Sequence, residues 1–144
     1  MKLEQQVCSL DLAKRLKELG VKQESYAFWN ARPNDPPVVL AGYELGAFNS
    51  LNTPKRSRIA SAFTVAELGE MLPPGTIQKR KGNDLHKEAV DMGIELNICP
   101  KWGKDDMRYC LYLAGNMEYV KDDNEANARA KMLIYLFENR LLSL

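Results

Sequence analysis

The segment Ala62-Phe-Thr-Val-Ala-Glu-Leu-Gly-Glu-Met-Leu-Pro-Pro74 carries both ends of a helix in its own residues. Thr64 is placed to accept a hydrogen bond from the backbone N–H of Glu67, while the Glu67 carboxylate reaches back to Thr64, the reciprocal arrangement of a capping box. Phe63 before the cap and Leu68 inside the helix are spaced for a hydrophobic staple. Pro73 and Pro74 end the helix, because a residue that precedes proline is pushed out of the α region. A helix this short, with only Phe63, Leu68 and Leu72 on its apolar side, is stable only when that side is buried against other elements.

The surrounding sequence supplies those elements. Leu12, Ala13, Leu16 and Leu19 share one face of a helix expected over 10–19, with Ser9 as N-cap. Lys14, Arg15, Lys17 and Glu18 line its other face. Gly20 stands where a left-handed residue closes such a helix, and Val21 is positioned to contact Leu16. Residues 23–30, with Tyr26, Phe28 and Asn30 alternating with Ala27 and Trp29, read as a strand. Ala31-Arg-Pro-Asn-Asp-Pro-Pro37 reads as a turn, and Val38 to Leu45 as the returning strand of a hairpin. Residues 46–58 read as a polar, basic connection, and 75–80 as a short strand.

Asp84 to Met92 is expected to be helical, with Leu85, Ala89 and Met92 at helical spacing. Glu95 to Cys99 and Met107 to Leu113 alternate at period two around the turn-rich loop Pro100–Asp106, a second hairpin. The last helix is expected to start at Asp122 with Glu125 completing an acidic capping box. Ala126, Ala130, Leu133, Phe137 and Leu141 form its stripe. Met132, Ile134, Tyr135 and Leu136 make its second half apolar on nearly all sides, as in a deeply buried helix or one covered by another chain.

These readings combine into a single α+β domain over residues 1–144. Its antiparallel sheet comes from two hairpins, with an N-terminal helix, the short capped helix and a long C-terminal helix packed on it. The expected core is Leu12, Leu16, Leu19, Phe28, Val39, Phe63, Leu68, Leu72, Ile98, Leu111, Leu133, Leu136 and Phe137. With 45% hydrophobic and 27% charged residues, the composition is that of a globular protein. No apolar run follows Met1-Lys2, and none approaches the ~18 residues of a membrane span. A cytoplasmic protein with three free thiols (Cys8, Cys99, Cys110) is expected.

Candidate chemistry is sparse. His86 is the single histidine, so a Ser-His-Asp or Cys-His arrangement would require it. It sits among Asp84, Lys87 and Glu88, in a segment that reads as solvated surface. Cys8, Cys99, Cys110 and His86 lack the paired C-x2-C spacing of a zinc knuckle and read as small core hydrophobes and a surface imidazole. Asp105-Asp106 and Asp122-Asp123 fall at a turn and a helix start, where aspartate serves the backbone. No glycine loop of either phosphate-binding pattern occurs. The sequence therefore points to no catalytic, cofactor-binding or metal-binding residue.

Two binding readings remain. Leu16 to Trp29 loosely fits a helix-turn-helix, but Tyr26-Ala-Phe-Trp29 is strand-like and carries few base-reading side chains. The net charge of the chain is +1, yet residues 53–81 hold six basic and two acidic side chains, a local charge of +4. Lys55, Arg56, Arg58, Lys79, Arg80 and Lys81 bracket the capped helix and are the candidate phosphate contacts if they share one surface. Trp29 and Tyr43 are candidates for base stacking beside them. The solvated-loop alternative for both basic runs stays open.

Three segments carry a resemblance: 6–25 (QVCSLDLAKRLKELGVKQES), 61–73 (SAFTVAELGEMLP) and 124–138 (NEANARAKMLIYLFE). In that order they resemble a family of short uncharacterised proteins of bacterial, phage and prophage genomes, over about half the chain. The stretch 79–106 departs from that pattern. The resemblance implies a compact, strand-rich middle and a mobile-element setting. The family has no assigned activity, so no site residue is carried over from it. The functional expectation is a non-catalytic macromolecular binding or adaptor protein, with another protein or a second copy met through the C-terminal helix. Nucleic-acid binding through Lys55–Lys81 is the alternative, and an enzyme of unknown class the second alternative.

Overall fold

The computed structural model describes residues 2–41, 57–72, 94–98, 109–113 and 119–142, with the backbone alone for 94–98, 109–113 and Tyr119. The chain opens with a 3-10 turn, Leu3–Gln5, and continues into helix α1, Leu10–Glu18. Strands β1 (Ala27–Ala31), β2 (Val38–Ala41) and β3 (Ser57–Ser61) follow, then the short helix α2 (Val65–Met71). Strands β4 (Ile94–Ile98), β5 (Tyr109–Leu113) and β6 (Tyr119–Asp122) precede the long helix α3, Glu125–Glu138.

The α+β class and both hairpins are present. β1 pairs antiparallel with β2, Ala27 opposite Ala41 and Asn30 opposite Val38. β4 pairs antiparallel with β5, Ile94 opposite Leu113 and Ile98 opposite Tyr109. Among the described residues each hairpin gains a third antiparallel strand, giving two three-stranded sheets in the orders β2-β1-β3 and β4-β5-β6. Both added strands escaped the sequence reading. Ser57 and Arg58 lie in what reads as a polar loop, and β6 is only four residues long. The strand expected over 75–80 and the helix expected over 84–92 lie outside the described residues.

Local chemistry explains the helix ends. The α2 capping box is complete: Glu67 N–H donates to Thr64 Oγ1 at 3.3 Å, and Thr64 N–H donates to Glu67 Oε2 at 2.8 Å. α1 closes as expected, with Gly20 at φ 89°. Gly20 N–H donates to Lys17 O and Val21 N–H to Leu16 O, both at 3.0 Å. These are the two bonds of a Schellman cap, with Val21 and Leu16 both in the core. Ser9 has the extended backbone of an N-cap, but its side chain makes no cap bond. Its N–H is held instead by Asn127 Oδ1 at 2.7 Å.

The cap of α3 differs from the expected Asp122. Asn124 is the N-cap, its Oδ1 accepting from Ala126 N–H at 2.8 Å and Asn127 N–H at 3.2 Å. Asp122 ends β6 and binds Asn124 N–H at 2.9 Å. The paired register Tyr109 opposite Asp122 carries the strand that far and leaves the helix to begin three residues later.

The core lies where the helices meet. α3 packs against α1 and α2 on one side and against β5 and β6 on another, while α1 also packs on β3. Leu16, Phe63, Leu68, Leu133 and Leu136 are almost wholly enclosed, as expected, and so are Cys8, Ala13, Ala126, Ala130 and Met132. Leu12, Leu19 and Phe137 are half-buried against this core. Phe63, at 0% exposure, represents ~2–3 kcal/mol of transfer free energy by itself. The apolar second half of α3 is enclosed within the chain: Met132, Leu133, Ile134 and Leu136 are buried and Tyr135 half-buried. Phe28 is half-buried and is not part of this core, lying on the opposite sheet face from Trp29 and Ala60. The side chains of Ile98 and Leu111 lie outside the description.

Candidate functional site

β1 and β3 bring the one described member of the basic set onto a sheet face. The β1–β3 register runs Phe28 opposite Ser61 and Trp29 opposite Ala60, then slips to Asn30 opposite Arg58, so Ile59 bulges. The slip turns Arg58 to the same face as Phe28 and Asn30. Its guanidinium carbon stands 3.9 Å from the centroid of the Phe28 ring. A cation over an aromatic face at an exposed position contributes about 0.5–1 kcal/mol. Leu40 opposite Phe28 and Val38 opposite Asn30 extend this face onto β2, both half-buried. Asn30 and Ser61 are buried there. Asn30 Nδ2 donates to Phe28 O at 2.6 Å, while Asn30 Oδ1 and Ser61 Oγ have no hydrogen-bond partner among the described residues.

Lys55, Arg56, Lys79, Arg80 and Lys81 lie outside the described residues, as do Tyr43 and Trp102. Trp29 is not on the Arg58 face. Alternation along β1 sends it to the opposite side, where its indole N–H donates to Cys8 O at 3.0 Å and its ring packs on the core. Trp29 is therefore not placed beside Arg58, and the aromatic ring that stands there is that of Phe28. The segment after α1 holds no second helix before β1, so the helix-turn-helix template is not realised.

The described titratable groups that depart from ordinary behaviour do so for structural reasons. Burial pushes the Cys8 thiol up to about 12, against hydrogen bonds to the Phe63 and Cys8 backbone that pull it down. A thiol so held is not a thiolate at neutral pH and is a poor nucleophile. Burial also pushes Glu67 upward, but four donors outweigh it and hold the carboxyl below its usual range. Those donors are Thr64 N–H and Tyr26 N–H at 2.8 Å, Thr64 Oγ1 at 2.8 Å and Ser25 Oγ at 3.1 Å. Asp122 follows the same logic: burial raises it, and Lys131 at 2.7 Å, Asn124 N–H and Asn127 Nδ2 together lower it. Asp123 is exposed. His86, Cys99 and Asp105-Asp106 lie outside the described residues. Cys110 stands opposite Asn97 in the β4–β5 register. Among the described residues no three His, Cys, Asp or Glu side chains gather as a metal site.

The sequence reading missed one buried charge. Arg129 is 6% exposed, its Nη2 2.7 Å and its Nε 3.2 Å from Glu125 Oε1. Glu125 therefore serves Arg129 rather than a capping box at Asp122. The i, i+4 spacing of Glu125 and Arg129 was the available signal. Gly69 on α2 lies directly over this pair, and a Cβ there would stand 3.1 Å from Arg129 Nη1. A larger residue at 69 would collide with the guanidinium.

Comparison of the chain with protein-family models, curated proteins and solved structures returns no match. Among the described residues no helix is long and apolar enough to cross a membrane.

Proposed function

We propose that this protein is a non-catalytic macromolecular binding or adaptor protein, docking a protein partner on the face of the β2-β1-β3 sheet that carries Phe28, Val38, Leu40 and Arg58. The observation that supports this reading most directly is the Arg58–Phe28 stack. It sets a cation and an aromatic ring together beside half-buried aliphatic side chains, the mixture enriched at protein interfaces. The shifted groups Glu67, Asp122 and Cys8 are engaged in caps, clamps and core packing, which favours a scaffold over a reaction centre. On the resemblance of the three sequence segments, the setting is a phage or prophage genome; the three cysteines without a disulfide framework favour a reducing cytoplasm.

A photoreactive residue placed at Leu40, in the source cells, tests the docking face. A defined adduct is expected that Arg58→Glu abolishes. If position 40 gives the same products as a control at the exposed Lys14, the proposal fails.

Nucleic-acid binding is the second reading, and Arg58 favours it: a guanidinium over an aromatic ring on a sheet face also suits an unstacked base beside a phosphate. Fluorescence anisotropy with single- and double-stranded oligonucleotides separates the two readings. Binding that weakens steeply with salt and is lost in Arg58→Glu supports nucleic acid. No binding at low salt leaves the protein partner as the reading.

A further inference from the structure

Between the cap of α1 and the start of β1 the chain runs through Lys22-Gln-Glu-Ser-Tyr26, which belongs to no helix or strand. Buried Val21 anchors one end and buried Ala27 the other. Exposure alternates between them: Lys22, Glu24 and Tyr26 are exposed, while Gln23 and Ser25 are half-buried. The inward positions are thus polar, and the one ring of the segment, that of Tyr26, belongs to a residue 58% exposed. The apolar burial that holds α1 and β1 is missing here. Among the described residues no backbone group of 22–26 bonds to another backbone group, so side chains hold the segment. Ser61 N–H of β3 donates to Gln23 Oε1 at 2.9 Å, and Gln23 Nε2 donates to Val21 O at 2.8 Å. The Ser25 hydroxyl lies 3.1 Å from Glu67 Oε2 and 3.3 Å from Ala62 O, and Tyr26 N–H donates to Glu67 Oε1 at 2.8 Å.

We propose that residues 22–26 form a strap that opens and closes over β3 and the start of α2 as one local unit, fastened by Gln23 at one end and by Ser25 and Tyr26 at the other. A segment with few buried apolar contacts opens below the global unfolding transition. Both anchors outlast the opening: Val21 N–H is held by Leu16 O at 3.0 Å, and Ala27 O accepts from Ala62 N–H at 2.9 Å. The α2 cap outlasts it too, because the two Glu67 oxygens have different partners. Oε2 takes Thr64 N–H and Thr64 Oγ1, both at 2.8 Å, while Oε1 takes Tyr26 N–H. Opening therefore releases Ser61 N–H on β3 and Glu67 Oε1 on α2 and leaves both elements folded. Closure of the strap decides whether this donor and this acceptor are engaged. The inference does not rest on which macromolecule docks on the sheet face.

Amide hydrogen exchange of the full-length chain, read residue by residue by NMR, tests the strap. In the wild type the Tyr26 and Ser61 amides, which sit on different fasteners, are expected to be about tenfold or more less protected than the anchor amides Val21 and Ala62. Low urea is expected to leave the Tyr26 and Ser61 rates nearly unchanged, since a local opening exposes little surface. Gln23→Ala touches no atom of the Tyr26–Glu67 bond, yet it is expected to lower Tyr26 protection about tenfold, the equivalent of one lost hydrogen bond. Ser25→Ala is expected to lower Ser61 protection by a similar factor, although Ser61 N–H is bonded to Gln23. Val21 and Ala62 are expected to keep their protection in both variants. Absence of the cross-effect in either folded variant overturns the proposal, because the two fasteners then act separately. Equal loss of protection at Val21 and Ala62 also overturns it, because the opening is then global. Tyr26 and Ser61 amides as protected as the anchors in the wild type overturn it as well.

Discussion

Replacing Glu67 perturbs a side chain that joins two elements. The Glu67 carboxylate accepts from Thr64 N–H, Tyr26 N–H, Thr64 Oγ1 and Ser25 Oγ, so it caps α2 and ties the start of that helix to the entrance of β1. In Glu67→Ala the reciprocal half of the capping box is lost, which costs ~1 kcal/mol. The Tyr26 and Ser25 donors lose a charged acceptor as well, but Tyr26 is 58% exposed, so its N–H turns to water. Their combined loss is then about 1 kcal/mol rather than the full value for buried charged bonds. The total is about 2 kcal/mol, equivalent to ~4–8 °C in Tm for a chain of this length. Glu67→Gln keeps an acceptor and loses only the charge, so about half that loss is expected.

The pH dependence has a fixed sign. The folded carboxyl is held below its usual value, so its stabilisation is fully present above the unfolded carboxylate range, near pH 5 and higher, and is lost as the pH falls through the lowered folded value. The gap between wild type and Glu67→Gln is therefore largest at pH 7 and closes on acidification. Urea unfolding at pH 7 and at pH 3.5, followed by circular dichroism, measures it. A Glu67→Ala loss below ~0.5 kcal/mol at pH 7, the scale of an ordinary surface substitution, refutes the clamp. A Glu67→Gln gap that stays constant with pH refutes the electrostatic part.

Three further outcomes follow from single residues. Arg140 sits at φ 56° as the left-handed residue of the α3 C-cap, with Arg140 N–H on Phe137 O and Leu141 N–H on Leu136 O. Arg140→Gly is expected to raise stability by about 1 kcal/mol in urea unfolding, since glycine lacks the Cβ clash; a loss contradicts the cap. Gly69→Ala, which helix propensity alone favours by about 1 kcal/mol, is expected to destabilise, because its Cβ meets Arg129 while Glu125 pins that guanidinium. A double-mutant cycle with Arg129→Met should show that the penalty disappears; a penalty that persists points away from Arg129. Cys8 is expected to stay unreactive toward a thiol reagent in the native protein at pH 8 and to label on unfolding, as read by mass spectrometry of its peptide.

The legible parts of this chain are those whose signal is local. The Thr64–Glu67 box, Gly20 with Val21 behind it, and the apolar face of α1 are all written within four residues of where they act, and all are present in the structure. The two hairpins were also legible, because period-two runs flank turn residues. What escaped depends on partners distant in sequence. β3 is a strand only because β1 offers it an edge, and Arg58 reads as a loop cation until the Ile59 bulge turns it over Phe28. Phe28 looks like core from its neighbours alone, since an aromatic residue in an alternating strand gives no sign of which face the helices cover. The candidate site was legible as a charge excess and not as a place: of the basic set, only Arg58 is positioned by a described element.

Asn124 shows why local capping rules alone mislead at α3. Aspartate at 122, followed three residues later by glutamate, is a good local cap, and a chain considered segment by segment would start the helix there. The structure starts it at Asn124, whose amide does two things an aspartate could not do together. Its Oδ1 caps Ala126 and Asn127, while its Nδ2 donates to Gln5 O at 3.1 Å on the N-terminal segment. Asn127 adds a second tie, its Oδ1 taking Ser9 N–H at the start of α1. Asp122, freed from capping, anchors Lys131 one turn further along the helix. The same few polar residues thus set the start of α3 and fasten both α1 and β6 to it. Loss of the Asn124 donor alone, as in Asn124→Asp, keeps the cap acceptor and breaks the ties to Gln5 O and Val7 O. The helix boundary is therefore decided by which polar side chains find long-range partners, with the local cap propensities of Asp122 and Asn124 too similar to choose between them.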